Sequence, residues 1–409
     1  MEEKELVLEE KSLWRNRDYL LLWSGQAISS FGSQASRIIF PLLILDITHS
    51  PAKAGLVGAF STLPYVLLSL FVGTMADRVN RKKMMLVCEI GRAAIYVSIV
   101  LAIFFNIISV IQIYIVALLE GIFFVFFDIA EIASLKRIVG KKTSAAFAQE
   151  NVTDGFASLF GPSIGTILYQ IGKLLPFCLD MLSYFVSIFT LLMIKTEFQE
   201  ERTEKNSHIV QQLKEGVSWL FNHKILRTMA LINSASAFIF SNFMLILIVI
   251  LKGQHASTVL IGTIVSLSAI GSIFGAAIGN SVKKYASPGQ VVIGAGWANA
   301  ILLPLLIFFP NVVVIAVVTA TLFCINSIWS IVQVSFRLSL VPDELQGRVN
   351  SVHRFLVYSI IPLGMALTGL ILQAFGSKTT LAILFFGLLI VALASSFSKD
   401  LRNSRLVKI

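Results

Sequence analysis

Residues 73–83 read GTMADRVNRKK, a tight polar connection between two long apolar runs. It sets four cations, Arg78, Arg81, Lys82 and Lys83, beside one carboxylate, Asp77, in a chain that is 56% hydrophobic and only 14% charged. A solvated loop has no need of Gly73 four residues before its only acid, so the stretch asks for more than solubility. A soluble domain carries about 25% charge. Apolar stretches of roughly 20 residues, enough to cross about 30 Å of hydrocarbon as a helix, recur along all 409 residues here. The chain reads as an all-α polytopic membrane protein, surrounded by lipid. A membrane β-barrel would show short alternating segments, and no such dyad period is present.

Apolar runs predict twelve transmembrane helices, approximately 19–45, 55–75, 84–105, 110–134, 151–172, 174–194, 227–251, 257–280, 288–309, 311–335, 352–375 and 379–397. Lys and Arg collect in cytoplasmic loops. With both termini cytoplasmic, 27 of the 33 fall in inside segments, against four outside: Lys53, Lys173, Lys252 and Lys378. Arg37 and Arg92 remain, within spans. A missed span in mid-chain would destroy that alternation. The net charge of +10 is accounted for by orientation, and nucleic acid is not an expected partner. The polar N-terminus lacks a short apolar core and cleavage site, so no cleaved signal peptide is expected. Cys88, Cys178 and Cys324 lie in apolar runs without metal-ligand spacing and read as small hydrophobes. No metal or cofactor is expected.

The longest polar interval, 195–224, falls at the midpoint and divides the chain into two six-helix pseudo-repeat bundles. The predicted domains are 1–194, a cytoplasmic linker 195–226, and 227–409. Within the linker Ile209, Leu213, Val217 and Leu220 recur at helical spacing, so a short amphipathic helix should lie on the membrane or against the bundle. GTILYQIG (165–172) matches GLILQAFG (369–376) at an offset of 204, and GTMADRVNRKK has a worn counterpart, GAAIGNSVKK (275–284), at 202. Repeated halves around a central site are how alternating-access transporters are built.

GTMADRVNRKK resembles the loop 2-3 signature of the major facilitator superfamily, and it lies where that signature belongs, after span 2. The stretches EGIFFVFFDIAEIASL (120–135), FGPSIGTIL (160–168) and VPDELQGRVNS (341–351) look like the branch holding macrolide-efflux proteins and enterobactin exporters. The resemblance implies a conformational latch in which Gly73, Asp77, Arg78 and Arg81 hold the halves together in the outward-facing state. Gly73 lets a second helix approach, and Asp77 is then placed to face the positive N-terminal end of span 11 near Ser351. Asn80 departs from the glycine common at its position, and Gly161, Pro162 and Gly165 in span 5 match the antiporter motif only in part.

Ionisable residues inside a span are costly and point to function. Glu89 and Arg92, three apart on one helix, read as a local ion pair. Asp128 and Glu131 approach the cytoplasmic end of span 4 and are within reach of Lys136 or the latch loop, while Asp180 in span 6 has no evident partner. Arg37 and Glu120 fall roughly 12 to 15 Å deep at 1.5 Å per residue. The resemblance implies that spans 1 and 4, which carry them, line the central cavity. Glu120 is therefore predicted as the proton-coupling acid, with Arg37 as its partner or as a contact for an anionic substrate; a purely structural pair is the alternative. Gln26, Ser29, Ser30, Ser33 and Gln34 are candidates for substrate hydrogen bonds or for helix packing, with Gln26 and Gln34 foremost.

The function expected is secondary active export of a lipophilic small molecule, a macrolide-like or peptide antibiotic or a siderophore, coupled to protons, by a monomer in the bacterial cytoplasmic membrane. Uptake by symport on the same fold is the alternative within transport. A polytopic enzyme acting on lipid is disfavoured: His49, His208, His223, His255 and His353 are dispersed, and neither a nucleophile motif nor a phosphate-binding glycine loop is present.

Overall fold

The computed structural model of the chain describes residues 12–76, 79–198 and 209–402. Among these, sixteen α-helices form and no strand. The first group is α1 (Arg17–Arg37), α2 (Ile39–Thr48), α3 (Pro51–Ala76), α4 (Arg81–Phe104), α5 (Val110–Val139), α6 (Thr143–Ile171) and α7 (Leu175–Met193). After α8 (Ile209–Asn222) come α9 (Lys224–Phe240), α10 (Phe243–Gly253), α11 (Thr258–Tyr285), α12 (Pro288–Phe308), α13 (Val312–Leu340), α14 (Asp343–Ser359), α15 (Ile361–Phe397) and α16 (Lys399–Arg402).

Ten stretches among the described residues are long and apolar enough to cross a membrane. The last, Leu345–Phe397, is 53 residues long, and its backbone leaves the helical region at Gly376, where φ is 75°. Helix α6 is not one of the ten, because its first half carries Gln149, Glu150, Asn151, Thr153 and Asp154. Much of that polarity is satisfied by α1. Tyr19 donates to Gln149 and Trp23 to Thr153, each at 3.0 Å, Ser30 donates to Asp154 at 2.9 Å, and Gln34 to Ser158 at 2.7 Å. In hydrocarbon such polar groups need partners within the protein. The outer surface is correspondingly apolar, as Phe104 at 66% and Phe397 at 81% exposure illustrate.

Local chemistry explains the broken helices. Pro41 lacks an N–H and its ring excludes the carbonyl four residues back, so α1 ends at Arg37 and α2 begins at Ile39. Pro362 acts likewise between α14 and α15, which meet at Ile360. The gap between α9 and α10 holds no proline; there Ser241 caps back onto the Phe238 carbonyl at 2.7 Å, and the Asn242 amide reaches across to the Met365 carbonyl at 3.0 Å. The repeat found in the sequence coincides with chain breaks. Gly172 terminates α6 and Gly376 interrupts α15, and the starts of α2 and α10, Ile39 and Phe243, are also 204 residues apart.

Helices α1–α7 pack chiefly on one another and α9–α16 likewise, with the two groups meeting where α3 runs along α15 and α6 along α11. Small residues permit both seams. A Cβ on Gly369 would stand 3.0 Å from the Gly55 Cα, so α3 and α15 touch backbone to backbone. A Cβ on Gly165 would collide with the Ala35 backbone, its Cα 2.9 Å away, which fastens α6 to α1. The linker helix α8 lies against α14, with Leu220 fully buried and Glu215 paired to Arg348 at 2.5 Å.

Gly165→Leu is expected to pry α1 from α6 and cost about 1–3 kcal/mol or more. A thermal melt of the purified protein in detergent reads it, and an unshifted transition would refute the packing of α1 on α6.

Candidate functional site

A cavity of about 910 Å³ lies between the two helix groups. Both interrupted first helices contribute to its wall: Ser33, Gln34 and Arg37 from α1, Phe40 and Pro41 from α2, Asn233 and Ser236 from α9, and Phe243 to Leu245 from α10. Helices α3, α4 (through Tyr96), α5, α6, α11, α13, α14 and α15 complete it. Interrupted helices at corresponding positions of two repeats mark substrate sites in secondary transporters, because their freed backbone and polar side chains face the cavity.

Of the residues expected to act here, Arg37, Glu120, Asp128, Gln34 and Pro162 line the cavity. Gln26 does not. Its amide donates to Ser187 at 3.0 Å and joins α1 to α7, so its role is packing. Gly161 serves the same end, since a Cβ there would stand 2.6 Å from that of Gln34. Pro162 turns one side to the cavity, while its carbonyl faces Gly262 on α11.

The expected pairing of Glu120 with Arg37 is corrected. Arg92 is the cation at Glu120, 2.9 Å from its Oε1. Helix α5 packs along α4 and barely meets α1, so Arg92 reaches Glu120 across a direct helix contact, whereas Arg37, at the proline-enforced end of α1, is exposed to the cavity. Among the described residues Arg37 makes no ion pair. The expected local pair of Glu89 with Arg92 exists, but at 3.8 Å, as the longer arm of a three-group cluster. Arg92 also lies over the Tyr184 ring, 5.2 Å from its centroid, a cation–π contact that helps to offset burial of the guanidinium.

Asp180 belongs to the same cluster, although nothing in its local sequence names a partner. It is fully buried, and its carboxylate accepts from Ser36 and, at 3.3 Å, from Ser33. Ser33 and Tyr184 share a hydrogen bond of 2.9 Å, Ser36 and Tyr96 one of 3.1 Å, and Tyr184 approaches Glu120 Oε1 at 3.5 Å. The apolar context of span 6 hides this; the only sequence signal is the serine pair of α1, three residues apart and facing α7. Among the described residues Asp128 and Glu131 make no ion pair, and Asp128 shares the cavity wall with Arg354.

Three buried polar atoms of wall residues lack hydrogen-bond partners among the described residues: Glu120 Oε2, Ser236 Oγ and Trp329 Nε1. The same wall carries Phe40, Phe124, Phe240, Phe323 and Tyr65.

The cavity is closed on the side where α2 and α10 end. There Asp46 pairs with Lys252 across the two helix groups, Tyr169 donates to Asp46 at 2.7 Å, and Ser50 donates to Gln373 at 2.5 Å. Asp46 and Lys252 occupy the last turns of the two repeat-related half-helices. Toward the opposite face, on which α1 begins, Asp77 and Arg78 lie outside the described residues, and Gly73 falls in the last turn of α3. Arg81 donates to the Ala133 carbonyl of α5 at 2.8 Å, and Lys82 to the Ile194 carbonyl at 2.5 Å just beyond α7, the latter a favourable placement of a cation at a helix C-terminus.

Two helix groups around a closed-ended cavity, with interrupted helices and an internal charge cluster, have the form of a membrane transporter. The transmembrane secretion effector family profile matches residues 12–405, and the chain belongs to this family within the major facilitator superfamily. It is 21% identical to the multidrug efflux pump Tap of Mycolicibacterium fortuitum, across 94% of this chain and 96% of that one. It is likewise 21% identical to macrolide efflux protein A of Streptococcus pyogenes, covering 90% and 92%. Its fold matches a solved bacterial homologue of the lysosomal transporter Spinster, inward-facing and unoccupied, with a TM-score of 0.76, 14% identity and coverage of 97% and 99%. The chain is a transporter and not an enzyme.

Arg92→Met leaves three acids facing one another and is expected to destabilise the protein by about 3–5 kcal/mol. Adding Glu120→Gln should recover part of the loss, and strictly additive melting shifts would show that the two residues do not interact. Lys252→Met should loosen the closed end. The reactivity of Ser163→Cys, at the α6–α11 seam, toward an impermeant maleimide is expected to rise about threefold to fivefold, as befits a pair worth up to about 1 kcal/mol.

Proposed function

We propose that the protein is a proton-coupled exporter of lipophilic small molecules, of the macrolide or peptide-antibiotic kind or a siderophore, working by alternating access as a monomer in the cytoplasmic membrane. Twelve spans with both termini cytoplasmic fit the helices. The interrupted pairs α1/α2, α9/α10 and α14/α15 each count as one crossing, α6 crosses with its polar side turned to α1, and the break at Gly376 separates the last two. The halves are then 1–194 and 227–409, joined by the linker 195–226. Observations supporting export are the efflux annotation carried in the names of two relatives that align over nine-tenths of the chain or more, and a cavity wall dominated by aromatic and aliphatic side chains.

The observation that carries proton coupling is Glu120, which faces the cavity at 18% side-chain exposure while tied to Arg92 behind it. A carboxyl so placed exchanges its proton with whichever side the cavity opens to. Arg37 and Asp128 give the wall one cation and one anion for polar ends of the cargo. The stretch 73–83 serves as the latch of the opposite state: Asp77 and Arg78 engage the second half when the end near Asp46 and Lys252 opens, worth about 0.3–2 kcal/mol as a charge–dipole contact, enough to bias two states without freezing either.

Proteoliposomes with an imposed pH gradient, offered labelled macrolides, peptide antibiotics and ferric siderophores in turn, test the proposal. Gradient-driven movement of one class from the cytoplasmic face outward is expected, falling about a hundredfold in Glu120→Gln. Movement with the protons, rather than against them, would make the protein an uptake symporter. Asp77→Asn at normal membrane abundance should slow turnover, and an unchanged rate would remove the latch.

A further inference from the structure

The charge cluster contains more acid than the proposed coupling residue accounts for. Glu89 and Asp180 are both fully buried, Glu120 is mostly so, and among the described residues Arg92 is the only cation facing them. If all three carboxyls were ionised, the cluster would hold two uncompensated negative charges in the interior of a membrane protein, where a single unpaired charge already costs several kcal/mol. At least one proton is therefore held within it.

Geometry distinguishes the carboxyls. Glu120 and Glu89 both lie within ion-pair distance of Arg92, at 2.9 and 3.8 Å. Asp180 makes no ion pair among the described residues and is held by hydroxyls instead. From α1 these are Ser33 and Ser36, and from its own helix Ser183 at 3.4 Å, with Tyr96 of α4 bonded to Ser36 and Tyr184 of α7 bonded to Ser33. Facing it from α4 are also Glu89 and Arg92, and from α5 Glu120; α6 presents no titratable group hydrogen-bonded to it. The site is built into the packing. A Cβ on Gly32 would stand 2.8 Å from Asp180 Oδ1, so only glycine lets α1 close over the carboxyl. Moreover, the hydroxyls form a continuous path to the cavity, from Asp180 to Ser33 at 3.3 Å, Ser33 to Tyr184 at 2.9 Å and Tyr184 to Glu120 at 3.5 Å.

We propose that Asp180 is an internal proton-binding site of this transporter, loaded and unloaded through Ser33 and Tyr184 by the cavity-facing Glu120. In the unloading step Asp180 passes its proton to Ser33 Oγ, Ser33 passes its own to Tyr184 Oη, and Tyr184 passes its own to Glu120 Oε1. One proton moves from Asp180 to Glu120 and the hydroxyls return by rotation. Glu120 is then the port and Asp180 the store, and Arg92, which pairs with Glu120 and Glu89 but makes no ion pair with Asp180, discriminates between them. The idea rests on the proton-coupled reading above, but its first test does not involve transport.

Infrared titration of the purified, substrate-free protein follows protonated carboxyl groups directly. A carboxylic-acid band persisting to neutral pH is expected in the wild type, absent from Asp180→Asn and present at a displaced frequency in Asp180→Glu. A band that survives Asp180→Asn and disappears in Glu89→Gln would overturn the assignment. Should Asp180→Asn fail to fold, Tyr184→Phe and Ser33→Ala leave the carboxyl in place and interrupt only the path. The band should remain in both, with its exchange into deuterium oxide slowed by about tenfold or more, and exchange at the wild-type rate would refute the relay. In proteoliposomes, Asp180→Asn should retain exchange of labelled substrate at equal pH and lose gradient-driven transport. If the infrared result holds and no gradient-driven transport is found even in the wild type, the coupling proposal fails and the buried proton site stands.

Discussion

One buried guanidinium organises the first half of this transporter. Arg92 projects from α4, binds Glu120 of α5, stays within reach of Glu89 on its own helix, and lies over the ring of Tyr184 on α7. A charge in such surroundings is tolerated only when it is paired and hydrogen-bonded. The pairing ties three helices together at mid-depth. It also fixes Glu120: one oxygen is held by Arg92 and at longer range by Tyr184, while the other is buried and has no hydrogen-bond partner among the described residues.

The second organising constraint is the close approach of helices in a solvent that offers no hydrophobic drive between them. Contact there depends on small residues and polar pairs, and both occur at the seams. Gly165 against Ala35, Gly262 against Pro162 and Thr166, and Gly55 against Gly369 bring backbones together. The row of bonds from α1 to α6 satisfies side chains that lipid would not. Across this frame the half-helices α2 and α10, related by the repeat, meet through Asp46 and Lys252 and close one end of the cavity. The pair sits partly exposed, so it is weak enough to open.

Much of the architecture was legible from the chain alone. Apolar runs depend on local composition against a bilayer of known thickness, and the helix α8 showed its period directly. The repeat offset of 204 found in the sequence reappears in the chain breaks at Gly172 and Gly376. The site was legible only in part. Glu120 and Arg37 were placed by depth along their helices, and both line the cavity, but depth says nothing about azimuth. Rotation about the helix axis sends Gln26 to Ser187 and leaves Gln34 at the wall, although both lie on one polar stretch.

What the sequence determined by itself is the solvent this protein lives in, its helical character and the presence of costly charges inside its spans, because each follows from residues close together in the chain. Only the tertiary structure decided that Arg92 rather than Arg37 holds Glu120, that Asp180 joins them through Ser33 and Tyr184, and that Asp46 meets Lys252. These contacts join residues separated by up to 206 positions, and which of several equally polar helix faces come together is settled by the packing of whole helices, a property that no local stretch carries.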